Sequence, residues 1–286
     1  MKYLFALALA ISLTACSVHN KTEKIKDSSE LSGAKKGTLI QGGEIVAERK
    51  EWAVKVFHPG GYCTGSAISP SFILTAAHCL QSLDSKPITY SAGSVYVRYS
   101  NGINNHPGDT RHYAIKLHIA PVGDIGLIEL TEPHEIGNNE YAPLNFTYPR
   151  PKSSPEYQSQ EGVLYGYGGH GDDAGNNIDL DALYRLKIIF NGNPTCTDYS
   201  VYGGPGFCFQ GYNGKAIRGD SGGPVFVNNQ VVGILSAGDY IVSGVNYTKA
   251  AWLGSEAYWI FSTAHPVSVA NKVALNMMFA YGIKIK

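Results

Sequence analysis

At 286 residues the chain can bury a sizeable core, as one large domain or two small ones. Charged residues make up only 16%, below the roughly 25% of average soluble proteins, while 33 glycines and 19 tyrosines suit many short strands joined by turns. The 23 basic and 23 acidic residues balance, so nothing in the charge favours nucleic acid as a partner.

In chain order, Met1-Lys2-Tyr3 precede an apolar run from Leu4 to Leu13 that is too short to span a bilayer. It reads as a secretory signal peptide over residues 1–15. The run ends in Leu13-Thr14-Ala15-Cys16, which resembles the lipobox of bacterial lipoproteins. That resemblance implies a diacylated Cys16 as the mature N-terminus, and Ser17 resembles an outer-membrane sorting residue. The alternative is an ordinary signal peptide whose cysteine is incidental. Five cysteines leave one unpaired in an exported protein; lipidation of Cys16 consumes the odd one, and the other four allow three connectivities.

Residues 16–39, rich in Lys, Ser, Glu and Gly, read as a flexible tether or propeptide. From Ile40 onward apolar and polar residues alternate in short runs such as Trp52–Phe57, Val95–Tyr99 and Tyr113–Leu117, which predict strands. The Pro-rich segment Pro149-Arg150-Pro151-Lys152-Ser153-Ser154-Pro155 divides the domain, 40–263, nearly in half. In the last stretch, 264–286, Val269, Val273, Met277 and Tyr281 recur every four residues and predict a helix packed on the domain, with a membrane or partner surface as the alternative.

Three segments carry the chemistry. Thr75-Ala76-Ala77-His78-Cys79 supplies an imidazole, and Gly219-Asp220-Ser221-Gly222-Gly223-Pro224 a hydroxyl in a glycine-rich turn. A serine hydroxyl is a poor nucleophile until a neighbouring imidazole takes its proton. The oxyanion that then forms needs fixed N–H donors, and glycines let a substrate backbone approach closely. Between them, Asp124 opens the apolar run Ile125-Gly126-Leu127-Ile128-Glu129-Leu130, which reads as a buried strand. A carboxylate there would hold the tautomer of the histidine. Asp124 could also be a turn former after Pro121-Val122-Gly123, and Asp109, Asp172 and Asp173 compete by position, but each of those lies in a Gly-rich polar loop.

Together these motifs resemble trypsin-like serine proteases of the chymotrypsin fold, in the same His, Asp, Ser order. The resemblance covers roughly Ile40 to Ile260, with Tyr165-Gly166-Tyr167-Gly168 standing where the family has Gly-Trp-Gly. It implies an all-β fold of two packed antiparallel barrels, about 40–148 and 156–260, with the Pro-rich segment as crossover. It implies Ser221 as nucleophile, His78 as general base and acid, Asp124 as orienter, and the amides of Gly219 and Ser221 as oxyanion hole. Ser236 would support Asp124, and Gly238, Gly244 and Lys215 would line the specificity pocket. Bridges Cys63–Cys79 and Cys196–Cys208 are implied by the same resemblance.

Two departures matter. Ile40-Gln41-Gly42-Gly43 resembles the family's activated N-terminus, whose ammonium group pairs with the residue that is Asp220 here, yet Leu39 precedes it in place of a basic residue. Cleavage at Leu39–Ile40 would also free the domain from its lipid. Ile217 stands near the place of the cysteine that usually precedes Gly-Asp-Ser, and Lys215 near that of the trypsin pocket aspartate. No Arg/Lys preference is therefore expected.

The chemistry calls for no cofactor. The cysteines lack a Cys-x-x-Cys pair for a metal, and Gly169-His170-Gly171-Asp172-Asp173-Ala174-Gly175-Asn176-Asn177 lacks a calcium-loop pattern. The expectation is a monomeric exported endopeptidase acting on proteins or peptides, anchored to a bacterial membrane and released to periplasm or exterior on activation. The competing classes are a catalytically silent trypsin-like binding lipoprotein and a surface-adhesion lipoprotein.

Overall fold

A computed structural model of the chain describes residues 43–82, 84, 86–137, 140–147, 160–169, 181–190, 204–212, 214–242 and 245–265. Six strands close the first barrel: β2 (Ala53–His58), β3 (Gly61–Ala67), β4 (Phe72–Thr75), β5 (Tyr96–Tyr99), β6 (His112–Ile119) and β7 (Gly126–Leu130), numbered after a short leading strand β1 (Glu44–Ile45). Their pairing order is β2-β3-β4-β7-β6-β5. Val54, Val56, Ile73, Leu74, Val97, Leu127 and Ile128 are all fully buried in its core. β5 alternates as a half-buried strand does, whereas the neighbours Ile73-Leu74 on β4 and Leu127-Ile128 on β7 are buried on both faces.

The second barrel holds β8 (Gln160–Gly166), β9 (Tyr184–Phe190), β10 (Gly206–Gly211), β11 (Pro224–Val227), β12 (Gln230–Val242) and β13 (Val245–Trp252). β8 pairs with both β9 and β11, and this closes the ring β8-β9-β10-β13-β12-β11. Leu164, Leu186, Ile188, Phe190, Phe207, Phe209 and Val225 fill it, with the three phenylalanine rings in mutual contact at 5.4–6.5 Å. The expected two-barrel, all-β architecture is present.

β1 precedes the first barrel in sequence but pairs with β9, Glu44 opposite Arg185 and Ile45 opposite Tyr184. Arg185 also bridges to Glu44 and Glu48 at 3.2 and 3.4 Å. The leading segment thus belongs to the second sheet, because an edge on β9 satisfies its backbone groups.

The outer face of β3 departs from simple alternation. From Cys63 to Ala67 every residue is buried, Thr64 and Ser66 included. One face lines its own barrel, and the other meets the second barrel at β11. Lys55 is likewise buried on this seam, where its ammonium reaches Asp181 at 2.9 Å.

A single turn-rich passage leads from β13 into α1 (Ala257–Ala264), whose Ala257, Ile260 and Ala264 face the core. The helix therefore begins before the stretch expected to be helical; the stripe from Val269 to Tyr281 and the Pro-rich crossover lie outside the described residues.

Candidate active site

His78 sits in a single 3-10 turn, Ala77–Cys79, immediately after β4. The bridge between Cys63 on β3 and Cys79 locks that turn to the barrel wall. Asp124 occupies the loop entering β7 and is completely buried. Its Oδ1 accepts the backbone N–H of His78 at 2.9 Å, and its Oδ2 lies 2.7 Å from His78 Nδ1. Ser236 on β12 donates its hydroxyl to the same Oδ2 at 2.7 Å. One carboxylate thus fixes the turn, the ring and a strand of the opposite barrel. With Nδ1 facing the carboxylate, the proton sits on Nδ1 and Nε2 is left as the base.

The Ser221 turn joins β10 and β11 and is held at both ends. Thr64 N–H donates to the Ser221 carbonyl at 2.8 Å, Gly222 N–H to Leu235 O at 2.8 Å, and Gly223 N–H to Asp220 O at 2.8 Å. Gly222 adopts φ +78° and packs directly on the Thr75 hydroxyl and the Ala76 amide, two residues before His78. A side chain there would collide with the turn that carries the imidazole. The glycine is what lets the serine turn approach it. Gly219 has φ +99° and lies against the ring of Tyr62 and Gly168, so it too has no room for a Cβ. Its carbonyl accepts the Thr64 hydroxyl at 2.9 Å. That bond fixes the Gly219–Asp220 peptide plane, one residue before Ser221.

Asp220 is fully buried, and its carboxylate accepts Gly168 N–H and Ile217 N–H, both at 2.8 Å. Burial raises its pKa to about 7, against the pull of those two amides. The glycines of Tyr165-Gly166-Tyr167-Gly168 gain a reason here: a Cβ on Gly166 or Gly168 would strike the Asp220 carboxylate. Tyr167 between them is wholly buried and donates its hydroxyl to Asn105 O at 2.9 Å. Ile40, the expected partner of Asp220, lies outside the described residues, as do Cys16, Cys196 and Gly244. Cys208 on β10 is disulfide-bonded.

Gly238 is exposed on β12, and a Cβ there would meet the Ala216 carbonyl at 3.3 Å. The expected pocket wall and the segment after Lys215 are therefore neighbours. Lys215 itself is half-buried. Asp109 is exposed.

Two residues that sequence reasoning missed stand beside this set. Thr64 joins both barrels: its hydroxyl also accepts Tyr167 N–H at 2.9 Å, and its carbonyl accepts the Thr75 hydroxyl at 2.8 Å. His58 accepts Gly60 N–H on Nδ1 at 3.2 Å, which places its proton on Nε2, 3.6 Å from Cys63 Sγ. Burial, then the electrostatic influence of His78 and Arg218, pushes its pKa down to about 4. It stays neutral beside His78 at pH 7. Cys63, His78 and Cys79 bring potential ligand atoms within 4.8 Å of one another, but both sulfurs are consumed in the bridge and offer no thiolate to a metal.

Two six-stranded barrels, with an acid–imidazole pair on one and a Gly-Asp-Ser-Gly-Gly turn on the other, define the chymotrypsin class of fold. The Trypsin family model matches residues 39–260, and the chain belongs to that family of serine proteases. Trypsin alpha of Drosophila erecta is 26% identical over 248 residues, covering 81% of this chain and 89% of its own. Trypsin-2 of Salmo salar is 30% identical over 210 residues, covering 70% and 84%. Among solved structures, a scabies mite inactivated protease paralogue, S-D1, superimposes with a TM-score of 0.61 at 20% identity, over 79% of this chain and 98% of its own. Mouse neuropsin gives 0.59, also at 20%, over 78% and 98%.

Proposed function

We propose that the protein is an active exported serine endopeptidase that hydrolyses peptide bonds through an acyl-enzyme. Ser221 attacks the scissile carbonyl while His78 Nε2 takes its proton. The tetrahedral oxyanion is held by the amides of Gly219 and Ser221. Collapse expels the amine, protonated by His78, and water then repeats the sequence to release the acid. The observation that carries this reading is the buried Asp124 carboxylate, shared between His78 Nδ1 and the Ser236 hydroxyl at 2.7 Å each. A fluorophosphonate probe tests it: labelling is expected in the wild type and absent from Ser221→Ala and His78→Ala.

A second reading, a catalytically silent binding lipoprotein, is favoured by the departures at Leu39 and Ile217 and by the likeness to an inactivated paralogue. It forecasts a folded protein that the probe leaves unlabelled. The adhesion reading forecasts the same, with peptide hydrolysis indifferent to Ser221.

Specificity should differ from trypsin. Lys215 and Ala216 stand near the place where a trypsin carries its pocket acid, so arginyl and lysyl peptides should be poor substrates, and rapid cleavage of an arginyl substrate would refute this. The signal segment, the lipid on Cys16, the tether to Leu39 and cleavage before Ile40 make up the proposed life history, which rests on Leu13-Thr14-Ala15-Cys16 and on Gly42-Gly43 with Asp220. The precursor is then bound to a bacterial membrane, outer on the ground of Ser17, and the cut enzyme is a soluble monomer. N-terminal mapping of the probe-labelled species tests this; finding Cys16 alone as its terminus would remove the activation step.

A further inference from the structure

A second cleft opens in the first barrel, at the end of β6 and β7 away from Asp124. β6 runs from His112 toward the Asp124 loop and β7 runs back from it. The cleft has a volume of about 400 Å3 and is lined by Glu51, Tyr99, His112, His134 and Glu135, with Arg49 at its side. We propose that it is a binding site for a borderline transition-metal cation, Zn2+ in the first place, with His112 and His134 as ligands.

The two imidazoles meet at 4.3 Å between ring centres, inclined at 59°. Two imidazoles bound to one tetrahedral ion, with Zn–N bonds of about 2.0–2.1 Å, hold their ring centres about 5.2 Å apart. Opening the pair by about 1 Å therefore accommodates the ion. Among the described residues no hydrogen bond occupies a side-chain nitrogen of either ring.

Two further groups in the cleft are unsatisfied. Tyr99, only 6% exposed, packs on both rings at 5.0 and 4.1 Å, and its buried hydroxyl has no hydrogen-bond partner. The buried Oε2 of Glu51 likewise has none, while its Oε1 pairs with Arg49 at 2.8 Å. Leaving such groups dry and unpaired is costly. A bound cation with its waters supplies what both lack: positive charge for the carboxylate, and metal-bound water for the phenol. Glu51 and Glu135 both act electrostatically on His134, so two carboxylates against one guanidinium leave the cleft net negative. Imidazole nitrogen suits zinc better than calcium or magnesium, which take oxygen ligands alone, and the carboxylates act on the ion through their charge.

The site ties the start of β6, the segment after β7 and the chain before β2 together, so the bound ion should stabilise the barrel without touching His78. Isothermal titration of purified protein with Zn2+ should give saturable one-site binding at micromolar concentrations, with a melting temperature raised by several degrees, and Mg2+ or Ca2+ should do neither. His112→Gln and His134→Gln should each weaken binding at least about tenfold, whereas His78→Ala should leave it intact. Zn2+ titration of the wild type, followed on the histidine ring nitrogens by NMR, should shift the His112 and His134 resonances together. This second measurement decides the matter should either variant fail to fold. Absence of binding, binding lost in His78→Ala and kept in the other two, or unmoved His112 and His134 resonances would each overturn the proposal.

Discussion

Asp124 concentrates three hydrogen bonds on one carboxylate that has no access to water. Replacing it by Asn keeps the shape but presents an amide N–H or a weaker acceptor to His78 Nδ1, which turns the ring to the wrong tautomer. Asp124→Asn should lower kcat by about four orders of magnitude with the fold intact, measured on a peptide substrate alongside circular dichroism. Ser236→Ala removes one of the three bonds; a lost charge-assisted bond of about 1.5–3 kcal/mol should cost roughly 10- to 100-fold in kcat/KM.

Asp220 makes a separate prediction about pH. Its pKa rises from 3.8 in the unfolded chain to about 7 in the fold. Below about pH 4 both states hold the proton and burial costs nothing. As pH climbs toward 7, the unfolded chain releases the proton while the folded chain retains it, so folding is increasingly disfavoured until both are ionised. The full loss is on the order of 4 kcal/mol. Urea midpoints of the chain with its N-terminal segment uncut should therefore fall between pH 4.5 and 7.5. A cationic terminus at Ile40, paired to Asp220, would remove most of that slope in the cut protein.

At the scale of elements, the bridge across a sequence separation of 16 residues restrains the denatured chain. Cys63→Ala combined with Cys79→Ala should lower unfolding free energy by roughly 2–4 kcal/mol in urea titration. It should lower kcat as well, because Cys79 directly follows His78. Gly166→Ala should hurt more selectively, displacing the Asp220 carboxylate and with it the serine turn. Such positions are legible from sequence because backbone geometry or covalent chemistry admits few residues there: the glycines around Ser221, the acid that opens β7, the cysteine after the histidine. Thr64 was not legible. Its partner at Gly219 lies 155 residues away, and nothing in Tyr62-Cys63-Thr64-Gly65 marks a threonine that faces the opposite barrel. The same non-locality hid β1, which sequence order assigns to the first barrel and hydrogen bonding to the second.

Across the whole molecule, the catalytic geometry is a property of the seam. Thr64 N–H to Ser221 O, the Thr64 hydroxyl to Gly219 O, Tyr167 N–H to the Thr64 hydroxyl and Ser236 to Asp124 all cross from one barrel to the other. Thr64→Val preserves volume but drops two of these bonds and strands the buried Tyr167 N–H. It should cost roughly 2–4 kcal/mol in stability and reduce probe labelling of Ser221 while both barrels persist by circular dichroism. An unchanged labelling rate would mean that the seam tolerates slack.

The leading strand waits for a partner made much later. Glu44 and Arg185 are 141 positions apart, so during synthesis the first six-stranded ring can close while the ribbon in front of it hangs unmatched. Only when β9 has emerged can that ribbon be laced down, and the second ring then captures the first. Contacts so distant along the chain slow folding. Halves produced as separate polypeptides should thus assemble poorly unless Glu44–Ile45 travels with the partner that holds β9, a division that cuts the gene at a place its two-barrel outline would never suggest.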